Sequence, residues 1–285
     1  MPGSIERQRR RARERYQRQQ ELRRERQRKI RKRTGIALAA VVVIGLAIGL
    51  PLGLSGSPSK SASAAKPSAS PSASSTAAAV TEPATHCDYT KSTVGQVKSV
   101  GLPPSTPDYK SAYTATINTN LGPIGINLLN SKATCAVNSF THLASANFWN
   151  NTQCHRVSDS GGLNMLQCGD PTAKASEDLS KSCSSSTLGT GGPGYQFADE
   201  NLKGATYPAG TVAMANSGPN TNGSQFFLVF KQTSLPASYT PFGTITSGLD
   251  ILQNVAKAGT SCSYSAGGGV PKEKVVIKSV AIHKV

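Results

Sequence analysis

The stretch Met214-Ala-Asn-Ser-Gly-Pro-Asn-Thr-Asn-Gly-Ser-Gln-Phe-Phe-Leu-Val-Phe230 constrains this chain more than any other, because it reads as apolar strand, tight polar loop, apolar strand. Gly218-Pro219-Asn220 and Asn222-Gly223 supply the turn chemistry: Gly and Asn tolerate positive φ and Pro fixes its own, so the loop should be rigid. Gln225, Phe226 and Phe227 then enter a strand together. Strand alternation sends Gln225 and Phe227 to one face, setting a neutral amide beside an aromatic ring. Such a wall suits a peptide carrying an apolar ring.

Composition bounds what surrounds that stretch. The chain has 285 residues but is only 37% hydrophobic, which implies one ordinary domain plus substantial sequence that builds no core. Its net charge of +16 resembles a nucleic-acid signal, yet Met1 to Arg33 holds 15 Lys and Arg against four Glu, so about +11 lies there and about +5 elsewhere. The arm has almost no apolar residues, and any helix in it would be polar on all sides. Ile36 to Leu54 follows without a single charge, and Gly35 to Leu54 as a helix spans about 30 Å at ~1.5 Å per residue, enough to cross a bilayer's hydrocarbon core. A cluster such as Arg28-Lys29-Ile30-Arg31-Lys32-Arg33 is held on the cytoplasmic side, which puts the carboxy-terminal portion outside. A cleaved signal peptide is the rival reading; it would have shorter charged and apolar regions, with Ala62-Ser63-Ala64 as a distant cleavage site. No Cys follows closely, which argues against a lipoprotein anchor. The Arg-rich arm could bind phosphates of nucleic acid, but beside an apolar span anionic lipid is the simpler partner, and no nucleic acid is expected.

The domain plan follows from these shifts: residues 1–34 a basic cytoplasmic arm, 35–54 a transmembrane helix, 55–86 a disordered Ser/Ala/Pro tether, 87–110 an extension over the domain, and 111–285 the folded domain. Within the last, Tyr113, Ala115 and Ile117 alternate with Thr and Asn, and Ile124, Ile126 and Leu128 continue after a turn at Asn120-Leu121-Gly122-Pro123, predicting a hairpin. Thr134 is placed to cap a helix carrying Val137, Phe140, Leu143 and Ala144 on one face, and a second helix follows Gly248 through Leu249, Leu252 and Val255. Further strands are expected at Thr152 to Val157, Leu163 to Cys168, Gly210 to Ala215, Gln225 to Phe230, Phe242 to Ile245 and Lys274 to Ile282. This pattern predicts a mainly β fold, an eight-stranded antiparallel closed barrel capped by two α-helices.

All six Cys lie beyond the apolar segment, which fits an oxidising exterior. Six Cys allow 15 pairings, so sequence alone leaves the connectivity open. Cys154 and Cys168 flank one hairpin, and Cys183 and Cys262 sit in Ser- and Gly-rich loops; those pairs, with Cys87 and Cys135 left over, are the suggested set. Zinc is the alternative use of cysteine, but no Cys-x-x-Cys or paired-His spacing is present, so no metal is expected.

His155-Arg156, Met165-Leu166-Gln167-Cys168-Gly169-Asp170, Gly189-Thr190-Gly191-Gly192, the Met214 to Phe227 run and Phe242-Gly243 occur in this order over about Ser111 to Val285. In this series the chain resembles the cyclophilins, and its Cys-His-Arg and Leu-Gln-Cys-Gly-Asp-Pro variants look most like the extracytoplasmic peptidyl-prolyl isomerase B branch of actinobacteria. The resemblance implies prolyl cis-trans isomerase activity with no cofactor and no covalent intermediate. It assigns the catalytic arginine to Arg156, the proline-ring pocket to Met165, Phe227 and Leu235, backbone contacts to Gln167, Asn216 and Gln225, the adjoining groove to Ala215 and Ser217, and a family histidine position to Tyr239. Two departures stand out: an aromatic pocket position falls on Asn164, with a one-residue slip open because the loop from Arg156 to Met165 is about three residues longer than the usual family spacing, and a tryptophan position falls on Ser234. The Ser-rich Thr172 to Thr187 stretch is an insertion expected to rim the groove.

Taken singly, Arg156 reads as a surface salt-bridge residue and Met165, Phe227 and Leu235 as core; only the ordered motif series reverses this. His155 and Trp149 read as structural. Two functions follow: an isomerase acting as a monomer on proline-containing exported polypeptides, or a tethered module that holds such segments with little turnover.

Overall fold

Ala115, Ile117, Ile124, Ile126 and Leu128 are all buried, so the alternation read in the sequence becomes the inner face of a hairpin in which Ala115 faces Ile126 and Ile117 faces Ile124. The computed structural model describes residues 82–95, 98–183, 188–264 and 267–285. The basic arm, the apolar segment 35–54 and residues 55–81 therefore lie outside the described residues. Among the described residues no helix is long and apolar enough to cross a membrane.

In chain order the elements are β1 (Tyr89–Lys91), β2 (Tyr113–Thr119), β3 (Pro123–Leu128), α1 (Thr134–Ser145), β4 (Thr152–Gln153), β5 (Arg156–Ser160), β6 (Leu163–Cys168), a 3-10 turn (Leu179–Ser182), β7 (Tyr195–Phe197), β8 (Thr211–Met214), β9 (Phe226–Val229), β10 (Pro241–Ser247), α2 (Leu249–Ala258), β11 (Thr260–Ser263), β12 (Gly269–Pro271) and β13 (Val276–Lys284). β1 pairs with β7, and the other eleven strands form one antiparallel sheet in the order β11-β12-β5-β6-β9-β8-β10-β3-β2-β13-β4. The fold is mainly β with two helices, as expected.

The closed eight-stranded barrel is corrected by this order, which is open. The cause lies in the expected strand Thr152 to Val157, which breaks at Cys154 and His155 into two pieces with different neighbours: β4 pairs with β13, and β5 with β6. At the break Cys154 N–H donates to Val275 O at 2.9 Å and His155 N–H to Gln167 O at 3.1 Å, so the main chain hands over from one ladder to the other. β4, at one end of the strand order, runs on through the chain into β5, with which it shares no ladder.

α1 packs on β10 and β13, and α2 on β5, β6 and β12. Between α1 and the sheet lies an aromatic core: Phe140 sits 4.7 Å from Trp149, 5.6 Å from Phe226 and 5.2 Å from Phe242 between ring centres. Trp149 is fully buried and its indole N–H donates to Ser224 O at 3.2 Å, so it packs. The cap of α1 differs from the expectation. Thr134 lies inside the helix and its hydroxyl donates to Asn130 O at 2.6 Å, while the Glu200 carboxylate accepts the N–H of Cys135 at 3.0 Å and of Ala136 at 2.8 Å. A carboxylate meets the positive end of the helix there, and burial, the larger effect, raises the Glu200 pKa against those two bonds.

The segment before Ser111 is tied down. Cys87 is disulfide-bonded to Cys135 on α1, Tyr89 donates its hydroxyl to Cys135 O at 2.9 Å, and the Tyr89 ring stands edge-on to Tyr195 and Phe197. Cys154 is bonded to Cys168 and Cys183 to Cys262. Among the described residues no cluster of three or more His, Cys, Asp or Glu could hold a metal ion.

Candidate active site

The strand registers align the motif residues. Arg156 on β5 lies opposite Gln167 on β6, Gln167 opposite Phe227 on β9, and Phe227 opposite Ala213 on β8, which gives one row across four strands on the face turned away from the aromatic core. The neighbouring row holds Ser158, Met165 and Val229. α2 supports β5 and β6 from the other side, so the arginine stands on a braced strand.

Polar side chains along this row form a relay. Arg156 Nε donates to Gly267 O at 2.8 Å, and Nη1 approaches Gln167 Oε1 at 3.4 Å. Gln167 Nε2 donates to Gln225 Oε1 at 3.0 Å, and Gln225 Nε2 donates to the carbonyls of Gly189 at 3.0 Å and Gly191 at 2.8 Å. Each amide is thereby held in one orientation, and the Gly189 to Gly191 loop is pinned to the strand carrying Phe227. Burial lowers the Arg156 pKa, with Tyr239 and Tyr264 acting in the opposite sense. The guanidinium keeps its charge regardless, because it titrates so far above neutrality.

Beside the relay lies a small apolar cluster of Met165, Tyr207, Ala213, Phe227 and Val229, with Leu163, Ala205, Ala215, Leu235 and Tyr239 packed at its edge. Tyr239 stands edge-on to Phe227 with ring centres 5.6 Å apart. Met165, Phe227, Leu235, Tyr239 and Ala215 therefore gather at one place. Asn216 sits at its margin and donates to Ser238 O at 2.8 Å, while the Ser217 N–H is bound to Thr221 Oγ1 at 2.9 Å.

Tyr207 was not legible in the sequence. Its hydroxyl donates to Tyr239 O at 2.8 Å and accepts the Tyr239 N–H at 3.0 Å, which fixes the backbone under the Tyr239 ring. The only sequence signal was an aromatic residue before Pro208 at the entry to a strand. Asn164 is corrected: along β6 Leu163, Met165 and Gln167 share the site face, and Asn164 points away, its side chain donating to Gln232 O at 2.6 Å. On the site face Leu163 supplies the apolar edge. Ser234 is exposed and takes no part in the cluster.

The loop from Ser217 to Gly223 is held as its composition implied. Asn220 adopts φ 59° and exchanges two bonds with Asp199, its Oδ1 accepting the Asp199 N–H at 2.9 Å and its own N–H donating to Asp199 Oδ2 at 2.8 Å. Behind the relay, Asp170 is fully buried; its carboxylate accepts the Gly189 N–H at 2.5 Å and both the N–H and hydroxyl of Thr172 at 2.7 Å. His155 beside it is buried, and burial pushes its pKa down to about 4 against the pull of Asp170, with Arg156 adding to the fall. A neutral imidazole at this point keeps a second positive charge away from Arg156.

The family described as cyclophilin type peptidyl-prolyl cis-trans isomerase/CLD matches residues 114–282, more than half of the chain, and the chain belongs to that family. It is a cyclophilin-type peptidyl-prolyl cis-trans isomerase. Among curated relatives it is 42% identical over 219 residues to a probable peptidyl-prolyl cis-trans isomerase B of Mycobacterium leprae, covering 71% of this chain and 68% of that protein. A protein of the same description from Mycobacterium tuberculosis is 41% identical over 215 residues, covering 69% of this chain and 64% of that one. A crystal structure of a Cryptosporidium parvum cyclophilin type peptidyl-prolyl cis-trans isomerase is 29% identical, with a TM-score of 0.47, covering 60% of this chain and 98% of that chain.

Proposed function

We propose that this chain accelerates rotation about X-Pro bonds in exported polypeptides, with the pyrrolidine ring seated against Met165, Phe227 and Leu235 and Arg156 stabilising the twisted amide. The row Arg156–Gln167–Phe227–Ala213 carries this reading, because it sets a fixed guanidinium at one end of an apolar surface on four adjacent strands. The barrier of ~18–20 kcal/mol comes from amide resonance, which withdraws the nitrogen lone pair from hydrogen bonding in the planar state. As the bond twists, that lone pair localises and the nitrogen pyramidalises, so a donor placed there binds the transition state more strongly than the ground state. Leu163, Tyr239 and Ala215 border the ring site; Gln167, Gln225, Asn216 and Ser217 would meet the peptide backbone.

The reading includes an extracytoplasmic setting for a monomeric domain: an arm at 1–34 inside, one apolar span at 35–54, a tether at 55–86, and the extension and catalytic domain from 87 outside. The uncharged run after a basic cluster and six Cys confined to the far side support it.

A protease-coupled assay of the full chain in detergent on an Ala-Pro peptide, beside Arg156→Ala, tests the mechanism. Removal of one preorganised donor should lower kcat/KM ~100-fold. Equal rates for the two proteins would overturn it and leave a module that holds proline segments without turning them over.

A further inference from the structure

Two segments that the catalytic row does not use are joined beside it. The insertion after Pro171 and the β11–β12 hairpin share a separate apolar cluster of Ala173, Leu179 and Val270, with Cys183, Leu188, Cys262 and Tyr264 packed against it. The Cys183–Cys262 disulfide closes this cluster covalently. None of these side chains belongs to the cluster around Phe227, so the described part of the insertion reaches the site by another route than the groove edge.

That route is the turn of the hairpin. Tyr264 N–H donates to Gly268 O at 2.8 Å and Gly267 N–H to Tyr264 O at 3.0 Å, which closes the turn on itself, and β12 meets β5 where Gly269 faces Val157. Among the described residues, two bonds leave the turn toward the site. Gly267 O accepts from Arg156 Nε at 2.8 Å, and the Tyr264 hydroxyl donates to His155 O at 2.8 Å, on the residue before the arginine. Since β12 and β6 flank β5 on opposite sides, Arg156 is gripped between Gly267 and Gln167.

We propose that the disulfide-clamped β11–β12 hairpin is a positioning device for Arg156, with Tyr264 and the Gly267 carbonyl setting the guanidinium's orientation. This rests on Arg156 being the group that stabilises the twisted amide. An arginine has several rotatable bonds, and ordering its side chain in advance removes that cost from the reaction itself. The Nε acceptor matters most: the Nε–H lies in the plane of the guanidinium, so its bond to Gly267 O restrains rotation about Cδ–Nε and with it the orientation of that plane. The disulfide matters because it ties β11 covalently to the insertion packed beside the hairpin.

The test uses the full chain with Cys183→Ser/Cys262→Ser and with Tyr264→Phe, each made with Arg156 intact and again in Arg156→Ala, all assayed on an Ala-Pro peptide. With Arg156 intact, kcat should fall ~tenfold for the disulfide variant and several-fold for Tyr264→Phe while KM stays within about twofold. In the Arg156→Ala background the same changes should add nothing. Equal losses in both backgrounds, or none with Arg156 intact, would overturn the inference. Parental kcat in Arg156→Ala alone would instead remove the catalytic reading and the inference with it. Tyr264→Phe deletes one hydroxyl and keeps its ring in the cluster, so it carries the test should the disulfide variant not fold.

Discussion

Gln225→Ala separates the relay from the pocket. The wild-type amide makes three hydrogen bonds, two to the Gly189 and Gly191 carbonyls and one from Gln167. At about 1 kcal/mol net for each bond, and with water able to replace part of the loss at a half-buried site, the cost should be ~2 kcal/mol of stability. For a urea m-value of about 2 kcal/mol/M that lowers the unfolding midpoint by ~1 M. Activity should fall by a different path. Gln167 loses the partner that fixes its amide, its Oε1 no longer meets Arg156 Nη1, and a loss of ~1.4 kcal/mol in orientation is about tenfold in kcat/KM. Gln225→Glu sharpens the result: a carboxylate still accepts from Gln167 but cannot donate to the two carbonyls, so near neutral pH it should destabilise at least as much as Ala. Protease-coupled rates and urea unfolding on the same preparations read both effects. A kcat/KM within about twofold of the parent, with an unmoved midpoint, would refute the relay.

Two further outcomes test other parts of the structure. The folded chain holds the His155 pKa at about 4, against about 6.5 in the unfolded chain, so the unfolded state takes up the proton first and stability is lost as pH falls from ~6.5 toward 4. The fall should amount to a few kcal/mol near pH ~4.5, read as the extra loss in urea unfolding of the parent relative to His155→Asn; identical pH slopes would show that the imidazole is not held neutral. The anchor proposed at 35–54 should keep the full chain with membranes through an alkaline carbonate wash, and recovery in the soluble fraction would remove it.

Much of the site was legible because its chemistry is local. Met165, Gln167 and Phe227 lie in short motifs whose order survives any loop change, so the family resemblance could assign them and, through it, Tyr239; β6 begins and ends where the sequence reading set it. What could not be read depends on contacts between residues far apart in the chain. Glu200 caps α1 from more than sixty residues away, and no local pattern distinguishes it from a surface glutamate. Tyr207 acts by holding the backbone at Tyr239. The exchange of Leu163 for Asn164 turned on a single register step, which moves a side chain to the opposite face of a strand. The β11–β12 hairpin was read as Ser- and Gly-rich loop, since its few apolar side chains are buried only once the disulfide partner's segment is beside them.

The strands through the site explain both the clarity and the limit of the sequence. β9 is buried on both faces: Phe226 and Leu228 join the main core, and Phe227 and Val229 join the apolar cluster of the site. A strand with two apolar faces shows no alternation, so its pattern announces a central strand without saying which face binds. The polar neighbours decide. Gln225 precedes Phe227 by two residues and Gln167 lies directly opposite it, so the face carrying amides is the one that can meet a peptide, and the face carrying only aromatic and aliphatic groups is sealed beneath α1. Stability and chemistry thus share one strand, and Phe226 holds in place the surface on which Phe227 would receive a proline ring.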